Sequence, residues 1–122
     1  MTQTKPLWLP EPEDHDYPAA QNFLALLINE EIAEEIADRL RRAPLSNFKA
    51  KDIFRASGLS LLGVSNSHVE KNLKKIDAGK QLSPLLLLRA SIHGKVVVAD
   101  GYHRLCAVYQ HDEDAVIPCK IV

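Results

Sequence analysis

The sequence predicts a single α/β domain built around one mixed sheet, and three observations carry this prediction. Apolar segments near residues 85–90, 95–99 and 115–121 have the length and the flanking turns of strands. Segments near 67–78 and 102–110 carry apolar residues at helical spacing and alternate with those strands. Each apolar strand needs a helix to cover it, so both helices are expected to pack on the sheet.

The elements of the second half can be justified in order. Ser67 and Glu70 form the Ser-x-x-Glu pattern of a capping box at the start of the first helix, which is expected to end near Gly79. Pro84 suits the first position of the strand that follows. The five-residue connection 91–95 is short enough to fold the next strand back as an antiparallel hairpin.

The first half of the chain has a different character. Residues 1–17 are rich in proline and acidic side chains and are expected to run extended over the surface. Residues 18–65 are expected to form a helical extension that braces the rest of the domain. Within it, residues 48–56 fit either a short helix or a strand, so the structure of residues 48–64 stays open at this point.

The second helix of that extension has the clearest boundaries. Asn29 is its expected N-cap and Pro44 ends it. Ile32, Ile36 and Leu40 are spaced four apart, which predicts one apolar stripe that docks against the rest of the domain.

The segment Asp100-Gly101-Tyr102-His103-Arg104 is the part of the sequence that indicates chemistry. It joins a run of valines to a helix, so His103 and Arg104 lie in the first helical turn. A helix start presents free backbone N–H groups and the positive end of the dipole, which predicts an anion site with phosphate as its anion. In a purely structural interpretation, Asp100 caps the helix and pairs with Arg104.

The order of elements and the position of this segment resemble a bacterial branch of the ParB/sulfiredoxin superfamily over residues 66–122, the expected core. In that superfamily a Gly-x-x-Arg element opens a helix and holds nucleotide phosphates. The resemblance implies a ParB/sulfiredoxin-like fold, with phosphate-binding residues at Gly101, Tyr102, His103 and Arg104. Tyr102 stands where sulfiredoxin has its catalytic cysteine, so sulfinic acid reductase activity is not expected.

These residues predict binding of a nucleotide or another phosphate-bearing ligand at the strand-to-helix junction, with phosphohydrolase or nuclease-type activity left open. Arg104 would clamp the phosphate, while His103 and Asp100 are the catalytic candidates. Asp100 would orient His103 or carry a Mg²⁺ ion that accompanies the nucleotide. The alternative is a non-catalytic protein-interaction or regulatory module that uses the same fold; the oligomeric state stays open.

Charge and hydropathy limit the classes of partner and the cellular compartment that we expect for the chain. The chain has 15 Lys plus Arg against 16 Asp plus Glu, so its charge does not favour DNA as a partner. Lys71, Lys74, Lys75 and Lys80 form the one local basic cluster, which is expected to be a solvated helix face. With no signal segment and no apolar run of membrane length, the chain is expected to be cytoplasmic, without a membrane partner.

The sequence predicts no metal site. Cys106 and Cys119 lack the spacing of metal ligands and are expected to be buried thiols. His15 lies between Asp14 and Asp16, but neighbouring side chains of an extended segment point in opposite directions, which argues against a shared ion.

Overall fold

Helices cover both faces of a four-stranded sheet in the computed structural model, which describes residues 5–63, 65–90 and 95–122. The helices are α1 (Asp16–Leu24), α2 (Glu30–Arg42), α3 (Ala50–Ser57), α4 (Ser67–Asp77) and α5 (Tyr102–His111). The strands are β1 (Leu7–Trp8), β2 (Leu45–Lys49), β3 (Gln81–Leu82), β4 (Leu85–Ala90), β5 (Lys95–Asp100) and β6 (Val116–Ile121). The predicted mixed α/β class is confirmed.

The four-stranded sheet has the order β2, β6, β4, β5. β4 pairs parallel with β6 and antiparallel with β5, and β2 pairs antiparallel with β6. A second, two-stranded sheet joins β1 to β3 in parallel. The three strands predicted to share one sheet do so, and the first two run antiparallel as expected. Residues 91–94, most of the predicted hairpin connection, lie outside the described residues.

β4 is the buried centre of the sheet, and its leucines face two separate cores. Leu86 lies in a core with residues of α1 and α2. Leu85 and Leu87 lie in the other core, with residues of α3, α4 and α5. Because both faces are covered, the strand is a continuous apolar run, and each buried leucine contributes roughly 1.5–3 kcal/mol relative to an exposed one.

The ambiguous segment 48–56 contains both of the structures that its pattern allowed. β2 ends at Lys49 and α3 begins at Ala50. The segment 18–65 is therefore not wholly helical, because β2 pairs with β6 from Leu45 to Lys49 and completes one edge of the sheet. Alternation of half-buried and exposed residues over five positions is too short a pattern to separate an edge strand from a helical turn.

α2 begins where the sequence predicted, but its apolar stripe is different. The Asn29 side chain accepts a hydrogen bond from the Glu31 backbone N–H at 2.7 Å, so the predicted N-cap is confirmed. Ile36 and Leu40 are buried, whereas Ile32 is 51% exposed. A spacing of four drifts around a helix of 3.6 residues per turn, which turns Ile32 away while Ala33 and Ala37 complete the buried face.

α4 begins at Ser67 as expected, with a different cap. The Asn66 side chain accepts hydrogen bonds from the backbone N–H groups of His68 at 3.0 Å and Val69 at 3.2 Å. The predicted capping box between Ser67 and Glu70 is therefore wrong, because Asn66 already satisfies the free N–H groups from the preceding position.

The described part of the N-terminal segment contains two short regular elements. β1 lies beside β3, and α1 begins at Asp16, so the end of the segment 1–17 is helical. His15, which precedes the helix, already has helical backbone angles, and Pro18 fits the first turn because that turn needs no N–H from it.

A buried lysine ties this segment to both α1 and α2. Lys120 Nζ donates to the Arg41 carbonyl oxygen at 2.8 Å and lies 3.1 Å from the Glu11 carboxylate. Burial by itself lowers the pKa of Lys120, but hydrogen bonds to Tyr17 and Glu11 outweigh it and raise the pKa overall.

Among the described residues, no helix has the length and apolarity needed to cross a membrane.

Candidate functional site

A cavity of about 440 Å³ opens at the start of α5. Four stretches that are distant in the sequence line it, within residues 13–16, 68–75, 81–83 and 100–104. The predicted site residues Asp100, Gly101, Tyr102, His103 and Arg104 all contribute to this lining. The strand-to-helix junction is thus an open concave surface and not a covered turn.

Gly101 is required at the junction because of its backbone and its neighbours. It is the N-cap of α5 with φ of +109°, a conformation that disfavours side chains. A Cβ at this position would lie 2.8 Å from Leu85 Cγ and 2.9 Å from Arg104 Nη2. No side chain in the described part of the chain caps the helix, so the first backbone N–H groups of α5 are left for a ligand or for water.

The Arg104 side chain extends from the first turn of α5 towards three oxygen atoms. Its Nη2 lies 3.1 Å from Asp100 Oδ2, 3.7 Å from Asp16 Oδ2 and 3.4 Å from the Pro84 carbonyl oxygen. Its Nε is buried and has no acceptor within the described part of the chain. Arg104 therefore makes the ion pair of the structural interpretation while it also lines an open cavity.

Asp16 belongs to the site and was not identified from the sequence. It is 3% exposed, and its carboxylate accepts a hydrogen bond from the Ser83 hydroxyl. The same Ser83 oxygen accepts the Glu13 backbone N–H at 3.1 Å. Asp16 and Ser83 are 67 residues apart, so no local pattern could have joined them.

Asp100 faces Arg104 and Asp16, and among the described residues no hydrogen bond joins it to His103. Burial raises the pKa of Asp100 most, Arg104 opposes that change, and the neighbouring Asp16 raises the pKa further. The Arg104 guanidinium already stands against both carboxylates and repels another cation. These two acids therefore do not fit a protein-bound Mg²⁺ site.

The facing wall of the cavity is basic and comes from α4 and α5. Lys71 and Lys75 are four residues apart on one face of α4 and line the cavity, whereas Lys74 forms an ion pair with Glu70 at 3.3 Å. The basic cluster is thus not only a solvated helix face. The sequence contains these two lysines as part of a basic cluster, but only the fold shows that they line one cavity with His103.

Two imidazoles stand side by side on this basic wall. The ring centroids of His68 and His103 are 4.8 Å apart, and the Tyr102 ring lies 5.6 Å from that of His103. Burial lowers the pKa of His103, and the nearby His68 and Arg104 lower it further. The His103 ring is therefore held in its neutral form at neutral pH.

The surroundings of Tyr102 and of the two cysteines indicate structural roles for these side chains. The Tyr102 hydroxyl donates to the Ser60 carbonyl oxygen, and burial followed by the neighbouring Cys106 raises its pKa. Both cysteines are free and buried, as predicted. Burial raises the pKa of Cys106 and raises that of Cys119 to about 12, so neither thiol is a reactive thiolate at neutral pH.

A small cluster at the cavity rim contains metal-ligand types. His15 Nε2 lies 3.1 Å from Glu13 Oε2 and 3.3 Å from Asp16 Oδ1. The argument that neighbouring side chains diverge here is wrong, because the chain is already turning into α1 at His15. Glu13 and His15 are exposed, whereas Asp16 is buried and is engaged by Ser83 and Arg104.

The charges of the cavity are equal in number but differ in their contacts. Lys71, Lys75 and Arg104 balance Glu13, Asp16 and Asp100, three against three. Arg104 is neutralised by its own carboxylates, whereas the two lysines and the start of α5 face the opening without acidic contacts among the described residues. The basic wall can therefore attract an anion.

Comparison of the chain with known protein families, with curated proteins and with solved structures finds no match.

Proposed function

We propose that the chain binds a phosphate-bearing small molecule, such as a nucleotide, in the cavity at the start of α5. The observation that carries the proposal is the convergence of three kinds of phosphate-binding group on one opening. These are the uncapped N–H groups of α5, the ammonium groups of Lys71 and Lys75, and the His103 ring. Charge-assisted hydrogen bonds of this kind contribute roughly 1.5–3 kcal/mol each.

The size and shape of the opening favour a small ligand over a duplex. A volume of about 440 Å³ lies within the range of small-molecule sites, roughly 300–1,000 Å³. A surface that follows a DNA backbone instead needs an extended excess of basic residues, which a chain with 15 basic and 16 acidic residues does not supply.

The same features support a ParB/sulfiredoxin-like fold as part of the proposal. β5 runs into the left-handed Gly101, and α5 begins at the next residue, which is where that superfamily carries its Gly-x-x-Arg element. Arg104 takes a supporting place in this geometry, because its Nη2 is engaged by Asp100 and its buried Nε lacks a protein acceptor.

The test is a thermal-shift screen of inorganic phosphate and of nucleoside di- and triphosphates, with and without Mg²⁺. A ligand at a hundred times its Kd should stabilise the fold by about 2.7 kcal/mol. Replacing both Lys71 and Lys75 with Ala should weaken binding at least tenfold, about 1.4 kcal/mol. Lys74→Ala is the matched control, because that residue pairs with Glu70. No shift with any of these compounds would contradict the proposal.

Hydrolysis of the bound phosphate is a second candidate, and one observation favours it. His103 lines the cavity, and its lowered pKa favours the neutral ring, which is the form that accepts a proton from an attacking water. Release of inorganic phosphate from a nucleotide that binds, and its loss in His103→Gln at a nucleotide concentration that saturates the variant, would support this activity. Binding without release would leave the chain a binding module.

A further inference from the structure

A second groove, of about 410 Å³, lies along the free edge of the main sheet and shares no lining residue with the cavity at α5. β5 forms this edge: it pairs with β4 on one side, and no other described strand pairs with it. Val96, Val97 and Val98 of β5 line the groove. An edge strand presents a row of backbone N–H and C=O groups without strand partners.

The walls of the groove rise from opposite faces of the sheet. Phe23 and Leu27 come from α1 and the turn after it, on the face that carries α2. Ser57 is the last residue of α3 and Leu59 follows its C-cap Gly58, on the face that carries α4 and α5. The edge of β5 thus lies on the floor of a slot between two layers of helices.

This shape fits one extended segment of chain. A strand laid beside β5 would exchange backbone hydrogen bonds with it, and its successive side chains would point alternately towards the two walls. One wall is apolar and the other combines Ser57 with Leu59. Phe23, Leu27 and Leu59 are each more than 40% exposed, so an occupant would cover apolar side chains that now face water.

We propose that the groove binds an extended, apolar peptide segment of a partner protein, which adds a fifth strand to the sheet beside β5. Lys95 is the one charged residue among the described residues that line the groove, and it lies at one end. Charge complementarity therefore places a carboxylate of the peptide at that end. A second copy of the chain is a poorer occupant, because its own β5 is recessed between the same walls.

The experiment uses two capped hexapeptides as probes, Asp-Val-Thr-Val-Thr-Val and the reverse sequence, which cover both strand directions. We expect one of them to shift the backbone amide signals of Val96, Val97 and Val98 saturably, and to slow hydrogen exchange at those of the three whose N–H points away from β4. Leu27→Glu should weaken this binding at least tenfold. Leu26→Glu is the matched control, because Leu26 is 82% exposed next to the groove and does not line it.

A charge exchange tests the predicted direction of the peptide. Lys95→Glu should weaken binding of the aspartate probe, and a probe with lysine in place of that aspartate should bind this variant with restored affinity. Three results would overturn the proposal: no saturable shift of the β5 signals at millimolar peptide, equal effects of Leu26→Glu and Leu27→Glu, or a concentration-dependent dimer that perturbs β5 without peptide.

Discussion

At the scale of the residue, the site depends on a glycine and an arginine that share one small space. Gly101 turns the chain from β5 into α5, and Arg104 folds back over it towards Asp100 and Asp16. The sequence predicted that both residues belong to an anion site. It could not show how much of Arg104 is already used by protein oxygen atoms, because Asp16 arrives from a distant part of the chain.

We expect Gly101→Ala to lower both stability and ligand affinity. The left-handed conformation costs a non-glycine residue roughly 1–2 kcal/mol, and the new methyl group would also press on Leu85 and Arg104. Gly79→Ala is the matched control, because its φ is +71° but nothing lies within 4 Å of the added Cβ. Thermal denaturation and nucleotide titration would measure both effects; equal losses in the two variants would contradict the packing argument.

Arg104→Ala should weaken binding at least tenfold, because Asp16 and Asp100 would then place uncompensated negative charge beside the anion. Arg104→Lys should restore part of the affinity, since an ammonium neutralises the acids without the geometry of the guanidinium. Isothermal titration calorimetry measures both variants. Unchanged affinity in Arg104→Ala would mean that Arg104 is architecture only.

At the scale of the element, the first turns of α4 and α5 bring two histidines together on the basic wall. The pKa of His103 lies below its usual 6.5, so the neutral ring is the form that the fold favours. The contribution of the neutral His103 ring to the free energy of unfolding is complete above pH 6.5. It is lost as the pH falls through the lower pKa that His103 has in the folded state. The negative charge of a bound phosphate favours the protonated ring, so it counteracts the effect of burial and raises the pKa of His103.

His103 should therefore take up protons when the ligand binds, at pH values below 6.5. Calorimetric titrations in buffers of different ionisation enthalpy measure the number of protons taken up. His103→Gln should reduce this uptake while the fold is retained. Uptake that is the same in the variant would show that His103 does not contact the ligand.

The start of α4 provides a separate test, which asks which residue caps the helix. Asn66→Ala should cost about 1 kcal/mol, because the side chain caps two backbone N–H groups. Ser67→Ala should cost much less, since Ser67 is not the cap. Chemical denaturation measures both, and a larger loss in Ser67→Ala would restore the capping-box interpretation.

At the scale of the whole molecule, periodicity predicted the strands and helices that have long apolar patterns. It located β4, β5, β6, α4 and α5, because each is read from neighbours in the chain. It missed what depends on distant pairing: the edge strand β2 against β6, and Asp16 against Ser83. The sequence therefore predicted only the α5 side of the candidate site. The second carboxylate, Asp16, and the positions of Lys71 and Lys75 in the cavity were found only from the fold.

The same long-range pairing makes the domain one unit. The segment 66–122 lacks β2, α1 and α2, so by itself it would expose one face of the sheet, including the fully buried Leu86. We expect this fragment not to fold, by circular dichroism and by the dispersion of its amide signals. A folded fragment 66–122 would show instead that the N-terminal half is dispensable.

The most direct measurement is an amide-resolved NMR titration of the intact chain with the phosphate compound that gives the largest thermal shift. A ligand at the start of α5 should move the backbone amide signals of Tyr102, His103 and Arg104 saturably, with smaller shifts along the face of α4 that carries Lys71 and Lys75. Saturable shifts confined to other parts of the chain, or no shifts near α5, would contradict phosphate binding at this site.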